Sequence, residues 1–133
     1  MPTIEERDAE NKAFREKLKA AKSILCIGAG PTGLETAAYM KEEWKDKKIG
    51  VCQRSKTMMP MFEGMHELIL EELKKLEVEY HPDTDFKEGE GIAKDYEVHI
   101  DCRGMKFDGP AKYLKNELAE CIDPKTGQIW VNH

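Results

Sequence analysis

Three glycines in the first third of the chain are spaced as Gly28-x-Gly30-x-x-Gly33, the spacing of loops that bind the pyrophosphate of a dinucleotide. In such loops the first glycine permits a tight turn, the second lets the backbone approach the pyrophosphate, and the third lets a helix pack close to a strand. Pro31 and Thr32 lie between Gly30 and Gly33. Proline suits the start of a helix, where free N–H groups and the helix dipole would face the phosphates.

The segments on either side of the glycines support this interpretation. Ile24–Ile27 is a short apolar run typical of a strand buried on both faces, and Leu34–Trp44 has the composition of a helix. A strand, a glycine turn and a helix in this order favour phosphate binding. The alternative is a βαβ unit that keeps its glycines for packing and binds nothing.

The sequence does not decide between NAD and NADP, because the residues at the positions that usually distinguish them fit either cofactor. Such folds place an acid about 20 residues after the glycines to hold the adenine ribose hydroxyls. The same count from Gly33 reaches Gln53, which can hydrogen-bond a hydroxyl but carries no charge. Arg54 follows, and it could bind a 2′-phosphate or be a solvated loop residue. The expected cofactor is therefore NAD(H) or NADP(H).

Composition excludes several other classes of function. The net charge of -5 gives no electrostatic basis for binding nucleic acid or an anionic membrane. No apolar run is long enough to span a bilayer. The spacing of His81, Asp83 and Asp85 matches no metal template, and we predict neither a metal ligand nor a catalytic residue.

The four cysteines indicate a reducing compartment, which would be the cytoplasm or the mitochondrion. None is spaced as C-x-x-C, and three of them fall in apolar, strand-like runs, so we expect free thiols that pack as small hydrophobic residues. These cysteines are Cys26, Cys52, Cys102 and Cys121.

Alternating strands and helices predict an α/β, Rossmann-like three-layer domain with a mainly parallel sheet. We expect a lead-in helix in residues 1–22, the dinucleotide-binding domain in residues 23–122, and a terminal turn and strand in residues 123–133. The predicted strands are Ser23–Ile27, Ile49–Gln53, Val78–His81, Glu97–Cys102 and Gln128–Asn132. The predicted helices are Pro31–Trp44, Phe62–Leu76 and Lys112–Cys121, besides the lead-in helix, which begins with a capping box at Thr3 and runs to about Lys22.

Two segments could contact a partner. The lead-in helix has a sparse apolar stripe, which indicates an exposed helix, with docking to a partner as the alternative. Met58, Met59, Met61 and Met65 lie close together in the sequence, where methionine suits either irregular core packing or a protein-contact surface.

The stretch Ala20–Trp44 resembles the NAD(P)H-binding domain of the FAD-dependent pyridine nucleotide-disulfide oxidoreductases. The resemblance is most specific in its motif Gly-x-Gly-Pro-Thr-Gly-x-Glu-x-Ala. The closest branch looks like the single-chain NADH–quinone reductases and apoptosis-inducing-factor-like proteins. In that family a second Rossmann domain binds NAD(P)H and is inserted into a larger FAD domain. The resemblance implies the same fold and cofactor for most of this chain.

The resemblance also implies roles for individual residues. The three glycines fall on the phosphate-binding glycines of the family. Glu35 falls on the glutamate near the nicotinamide end, although it could be an ordinary first-turn acid. Gln53 falls where the ribose-binding acid usually is, and Gly104 falls on the glycine of a Thr-Gly turn close to the cofactor.

Several departures from the family pattern limit these implications. Arg103 stands where the family has threonine, which puts a long cation into a crowded turn. The three-stranded meander expected before the fourth strand is confined to Asp83–Tyr96 and must be cut short or lost. The chain also has no second glycine-rich site for FAD and no redox C-x-x-C.

The matches to the family and the departures from it favour two different functions. The first is an NAD(P)H-binding module of a flavoprotein oxidoreductase, inactive alone, that supplies hydride to a flavin in a missing domain or partner subunit. The second is a degenerate Rossmann domain that serves as a structural or accessory subunit of a large assembly.

Overall fold

A computed structural model of the chain describes residues 1–104 and residue 125. Its central strand, β1 (Ser23–Ile27), is buried along its whole length, as its apolar run predicts. Strands β2 (Lys48–Cys52) and β4 (Val98–Asp101) pair with β1 in parallel on either side. Strand β3 (Glu79–His81) pairs in parallel with β2. Among the described residues the sheet order is β3-β2-β1-β4, so the predicted parallel α/β fold is confirmed.

Two helices cover one face of this sheet. Helix α2 (Pro31–Glu43) packs on β1 and β2, and helix α3 (Met65–Leu76) packs on β3 and against α2. Their buried residues join the inward side chains of the strands in one core. Because parallel neighbouring strands need a crossover, helices between them are the expected solution.

The other face of the sheet is covered by the segment that joins β3 to β4. Tyr96 is buried there with Leu25, Ile27 and Cys52, and Phe86 packs against them. This segment contains a short 3₁₀ turn (Gly91–Asp95) and no strand. The family meander is therefore lost rather than shortened to fewer strands, and an irregular segment supplies the third layer.

The lead-in helix, α1 (Ile4–Ala20), buries none of its residues, which confirms an exposed helix. Its predicted capping box is present: Glu6 N–H donates to Thr3 Oγ1 at 3.2 Å, and Thr3 N–H donates to Glu6 Oε2 at 2.6 Å. The Lys47 ammonium donates to three carbonyls around its C-terminus at 2.6–2.7 Å. These bonds attach an otherwise solvated helix to the turn before β2.

Some predicted boundaries are wrong by a few residues. Helix α1 ends at Ala20 and not near Lys22, because Ala21 is extended. Helix α3 begins at Met65 and not at Phe62, because Gly64 precedes it with a φ of 74°. Strand β2 begins one residue earlier than predicted.

The methionine-rich stretch divides between the two interpretations given above. Met58 is fully buried in the core beside the sheet, as expected of core filler. Met61 is 71% exposed and contributes nothing to that core. A contact role is therefore left to the exposed part of this stretch.

The chain divides into two compact units, Met1–Arg103 and Gly104–His133. The predicted helix Lys112–Cys121 and strand Gln128–Asn132 lie outside the described residues, as does most of the predicted turn around Lys125. Within the part of the chain that the structure describes, no helix combines the length and apolarity needed to cross a membrane.

Candidate functional site

The turn that follows β1 has a conformation that requires glycine at its first position. Gly28 has a φ of +108°, and a Cβ there would lie 3.2 Å from backbone atoms of Cys102 and Arg103. Its N–H donates to the Cys52 carbonyl at 2.8 Å. The turn is thus attached to the carboxyl ends of both neighbouring strands, β2 and β4.

The third glycine allows α2 to start directly against this turn. A Cβ at Gly33 would collide with the Gly28 carbonyl oxygen and lie 3.4 Å from Cys102 Cβ. Gly33 is buried, so no larger residue fits without moving the turn or the helix. Helix–strand packing, the role predicted for this glycine, accounts for its presence.

No contact within the fold requires the second glycine to lack a side chain. Gly30 is the N-cap of α2 with a φ of -79°, a conformation that any residue adopts, and a Cβ there would meet nothing within 4 Å. Pro31 and Thr32 follow as exposed residues of the first turn. Gly30 thus has open space in front of its backbone, beside the N–H groups of a helix start, which are the kind of donors that bind phosphate.

Glu35 lines a groove on α2 that contains no residue of the glycine turn. It is exposed in the second turn of α2, whose first turn has no acidic residue, so the alternative of an ordinary first-turn acid is wrong. Glu35 lines an apolar groove of about 350 Å³ between α2 and α3. The other lining residues are Leu34, Ala38, Met65, Leu68, Ile69, Glu72, Leu73 and Leu76.

Gln53 and Arg54 follow β2 and face different partners. The half-buried Gln53 donates from Nε2 to the Tyr80 hydroxyl at 2.6 Å. Burial raises the pKa of Tyr80, which keeps that hydroxyl protonated. Arg54 is exposed, and its Nε lies 3.6 Å from Asp85 Oδ1.

Arg103 does not crowd the turn as its size suggested. Its guanidinium is exposed and chelated by Asp101, with Nε–Oδ1 at 2.9 Å and Nη2–Oδ2 at 2.7 Å. Hydrogen bonds from Arg103 lower the pKa of Asp101 to about 2. The backbone N of Arg103 would lie 3.2 Å from a Cβ on Gly28.

Gly104 is the first residue of the second unit and is exposed. Its proximity to a cofactor stays a prediction.

The cysteines are poor nucleophiles. Cys26 and Cys52 are buried, Cys102 is half-buried, and all three are free thiols. Burial raises the pKa of each, which keeps it in the unreactive thiol form. Cys121 lies outside the described residues. Among those that are described, no group of three or more His, Cys, Asp or Glu could hold a metal ion.

Sequence reasoning missed Asp85 and Asp101, which partner the two arginines at this edge of the sheet. The position of Asp85 depends on how the segment after β3 runs past the end of β2. No periodicity or motif in the sequence carries that information.

Comparison with known proteins agrees with this geometry. A profile of the family described as pyridine nucleotide-disulphide oxidoreductase matches residues 4–109. The oxidoreductase ptaL of Pestalotiopsis fici is 45% identical over 47 residues, which cover 35% of this chain and 13% of that protein.

Two solved structures share the fold. The reduced CoADR-RHD protein of Bacillus anthracis has a TM-score of 0.65 at 17% identity, covering 95% of this chain and 23% of that one. An engineered water-forming NADPH oxidase, a mutant of LbNOX bound to NADPH, has a TM-score of 0.56 at 21% identity, covering 72% and 24%. The chain thus spans about a quarter or less of each of these relatives. By its match over most of its length, the chain belongs to the pyridine nucleotide-disulphide oxidoreductase family.

Proposed function

We propose that this chain is the NAD(P)H-binding module of a flavin-dependent oxidoreductase and that it presents the nicotinamide to a flavin held outside the chain. The observation that carries the proposal is the contrast among the three glycines. Gly28 and Gly33 are needed for the fold, whereas a Cβ at Gly30 would enter open space. A small residue that the fold does not need is explained by a ligand that approaches the backbone there.

The residues of the chain would bind and orient the cofactor. The backbone N–H groups at the start of α2 would hold the pyrophosphate, with the helix dipole favouring its negative charge. The bound dinucleotide supplies hydride from its reduced nicotinamide. Under this proposal the flavin that accepts the hydride would come from another domain or subunit.

Calorimetric titration with NADH and NADPH tests the proposal. The wild-type chain should bind at least one of them with a Kd of about 1 μM, or about -8 kcal/mol. Gly30→Val should abolish binding, because its side chain would fill the space of the pyrophosphate. It should lower the thermal unfolding midpoint by only a few degrees, because valine is a poorer N-cap than glycine. Equal affinity in the variant, or no binding by the wild type, contradicts the proposal.

A second candidate, an accessory subunit of a larger assembly, is favoured by the apolar groove between α2 and α3. Leu68, which lines the groove, is 58% exposed, and Phe62 before α3 is also 58% exposed. Exposed apolar surface of this kind marks protein contacts. In a cell extract, the wild-type chain should then migrate in a large complex and Leu68→Lys should not, with Glu71→Lys on the exposed face as the control. Migration of the wild type as a free monomer contradicts this candidate.

A further inference from the structure

Gln53, the residue at the position expected to bind the adenine ribose, is hydrogen-bonded within the protein. Gln53 donates its side-chain N–H to Tyr80 at 2.6 Å, and the Tyr80 hydroxyl in turn donates to the Lys56 carbonyl at 3.4 Å. This chain of bonds turns Gln53 toward β3 and the loop that follows β2. One of the two side-chain N–H groups of Gln53 is therefore not available to the adenine ribose while this bond is made.

A different acid is held at the same edge of the sheet. Backbone pairing continues past the ends of β2 and β3: Gln53 N–H donates to the His81 carbonyl at 3.1 Å, and Thr84 N–H donates to the Gln53 carbonyl at 2.8 Å. This pairing carries Asp85 alongside Arg54, where Asp85 Oδ1 lies 3.6 Å from Arg54 Nε. An acid from the segment after β3 therefore stands beside the carboxyl end of β2.

The charge of Asp85 also extends toward the glycine turn. The pKa of Arg103, which follows β4, is raised mainly by its hydrogen bonds to Asp101, with a smaller contribution from Asp85. Arg54 and Arg103 follow the two strands that flank β1. Asp85 is thus within electrostatic range of the residues on both sides of the turn.

We infer that Asp85 is the cofactor-selecting residue of this site: it accepts hydrogen bonds from the adenine ribose hydroxyls and makes the chain prefer NADH to NADPH. This inference rests on the proposed function. Both side chains of the pair are solvent-accessible, Arg54 at 81% and Asp85 at 63%, so a ligand can reach them. A 2′-phosphate on Arg54 would lie close to the Asp85 carboxylate, and two like charges about 4 Å apart in water disfavour binding about fivefold.

Titrations of the full chain with NADH and with NADPH test the inference, using the ratio of the two dissociation constants as the readout. The wild type should bind NADH more tightly. Asp85→Asn should weaken NADH binding and shift the ratio toward NADPH by about fivefold or more. The matched control is Asp83→Asn, which removes the same charge two residues away and keeps a residue that tolerates the φ of 50° at that position.

Adding Arg54→Gln to Asp85→Asn should remove most of the gained NADPH affinity, because the cation that lies beside residue 85 would then be gone. An unchanged ratio in Asp85→Asn, or an equal shift in Asp83→Asn, overturns the role of Asp85 while the proposed function stands. Failure of the wild type to bind either nucleotide overturns the proposed function itself, and the inference with it. Thermal unfolding of each variant separates loss of binding from loss of fold.

Discussion

Gly30 and Gly33 lie in one loop, yet the surroundings of their α-carbons differ. At Gly33 an added methyl group would meet the Gly28 carbonyl, and at Gly30 it would meet nothing within 4 Å. Gly33→Ala should lower the free energy of unfolding by about 1–3 kcal/mol, and Gly30→Ala should lower it by less than about 1 kcal/mol, because alanine is a poorer N-cap than glycine. Urea unfolding of both variants measures this, and equal costs would contradict the described turn.

Asp101 offers a pH-dependent prediction at the residue scale. Its pKa is about 2 in the folded chain against 3.8 for an unperturbed carboxyl, chiefly because Arg103 donates to it. A lowered pKa means that the contribution to stability is complete above pH 3.8 and is lost as the pH falls through about 2. The pair is exposed, so the contribution is below about 1 kcal/mol.

An NMR titration of the Asp101 carboxyl carbon checks the direction. Its midpoint should lie below the unperturbed value in the wild type and return toward it in Arg103→Gln. If the titration midpoint of Asp101 is the same in the wild type and in Arg103→Gln, then Arg103 does not form these hydrogen bonds with Asp101 in solution.

Residues whose roles depend on local backbone could be predicted from the sequence. The glycine turn is local: its spacing and flanking segments predict a tight turn at Gly28 and close packing at Gly33. The structure has a φ of +108° at Gly28 and no room for a Cβ at Gly33. Asp85 could not be predicted in the same way. Its position depends on backbone bonds between segments about thirty residues apart, Gln53–Ser55 and Asp83–Thr84, and no local pattern specifies them.

At the scale of elements, strands β1 to β4 were predicted to within one or two residues, because polar or turn residues bound each of them and short apolar runs mark β1 and β2. The covering of the second sheet face could not be predicted. That layer is irregular and depends on single side chains, above all Tyr96, whose hydroxyl donates to Glu79 Oε2 at 2.6 Å and lies 2.9 Å from His81 Nε2. These bonds attach the segment after β3 back onto β3.

The contact between Tyr96 and β2 gives a prediction for this layer. A Cβ at Gly50 would collide with the Tyr96 hydroxyl and lie 2.7 Å from its Cζ. Gly50→Ala should therefore displace the segment and cost about 1–3 kcal/mol of unfolding free energy. In a Tyr96→Ala background the same substitution should cost much less, which a double-mutant cycle measures. Equal costs in both backgrounds would show that Tyr96 does not cover Gly50.

At the scale of the whole molecule, family membership and the length of the chain have to be considered together. The chain matches the family over residues 4–109 and spans 23–24% of the two solved relatives with this fold. It carries one glycine turn of the dinucleotide-binding kind, which would serve one cofactor. Binding the nicotinamide and accepting its hydride are therefore separable functions under the proposal.

This separation predicts that the purified chain binds NAD(P)H without oxidising it. With NADH and a soluble quinone, the absorbance of the reduced nicotinamide should decay no faster than in buffer, because the flavin that would accept the hydride lies outside the chain. Gly30→Val serves as the matched control, since a variant that does not bind should give the same slow decay. If the wild type oxidises NADH faster than Gly30→Val, then this chain itself holds a hydride acceptor, and the division of labour proposed here is wrong. If the two decay equally while the wild type still binds, cofactor presentation is the function left to this module.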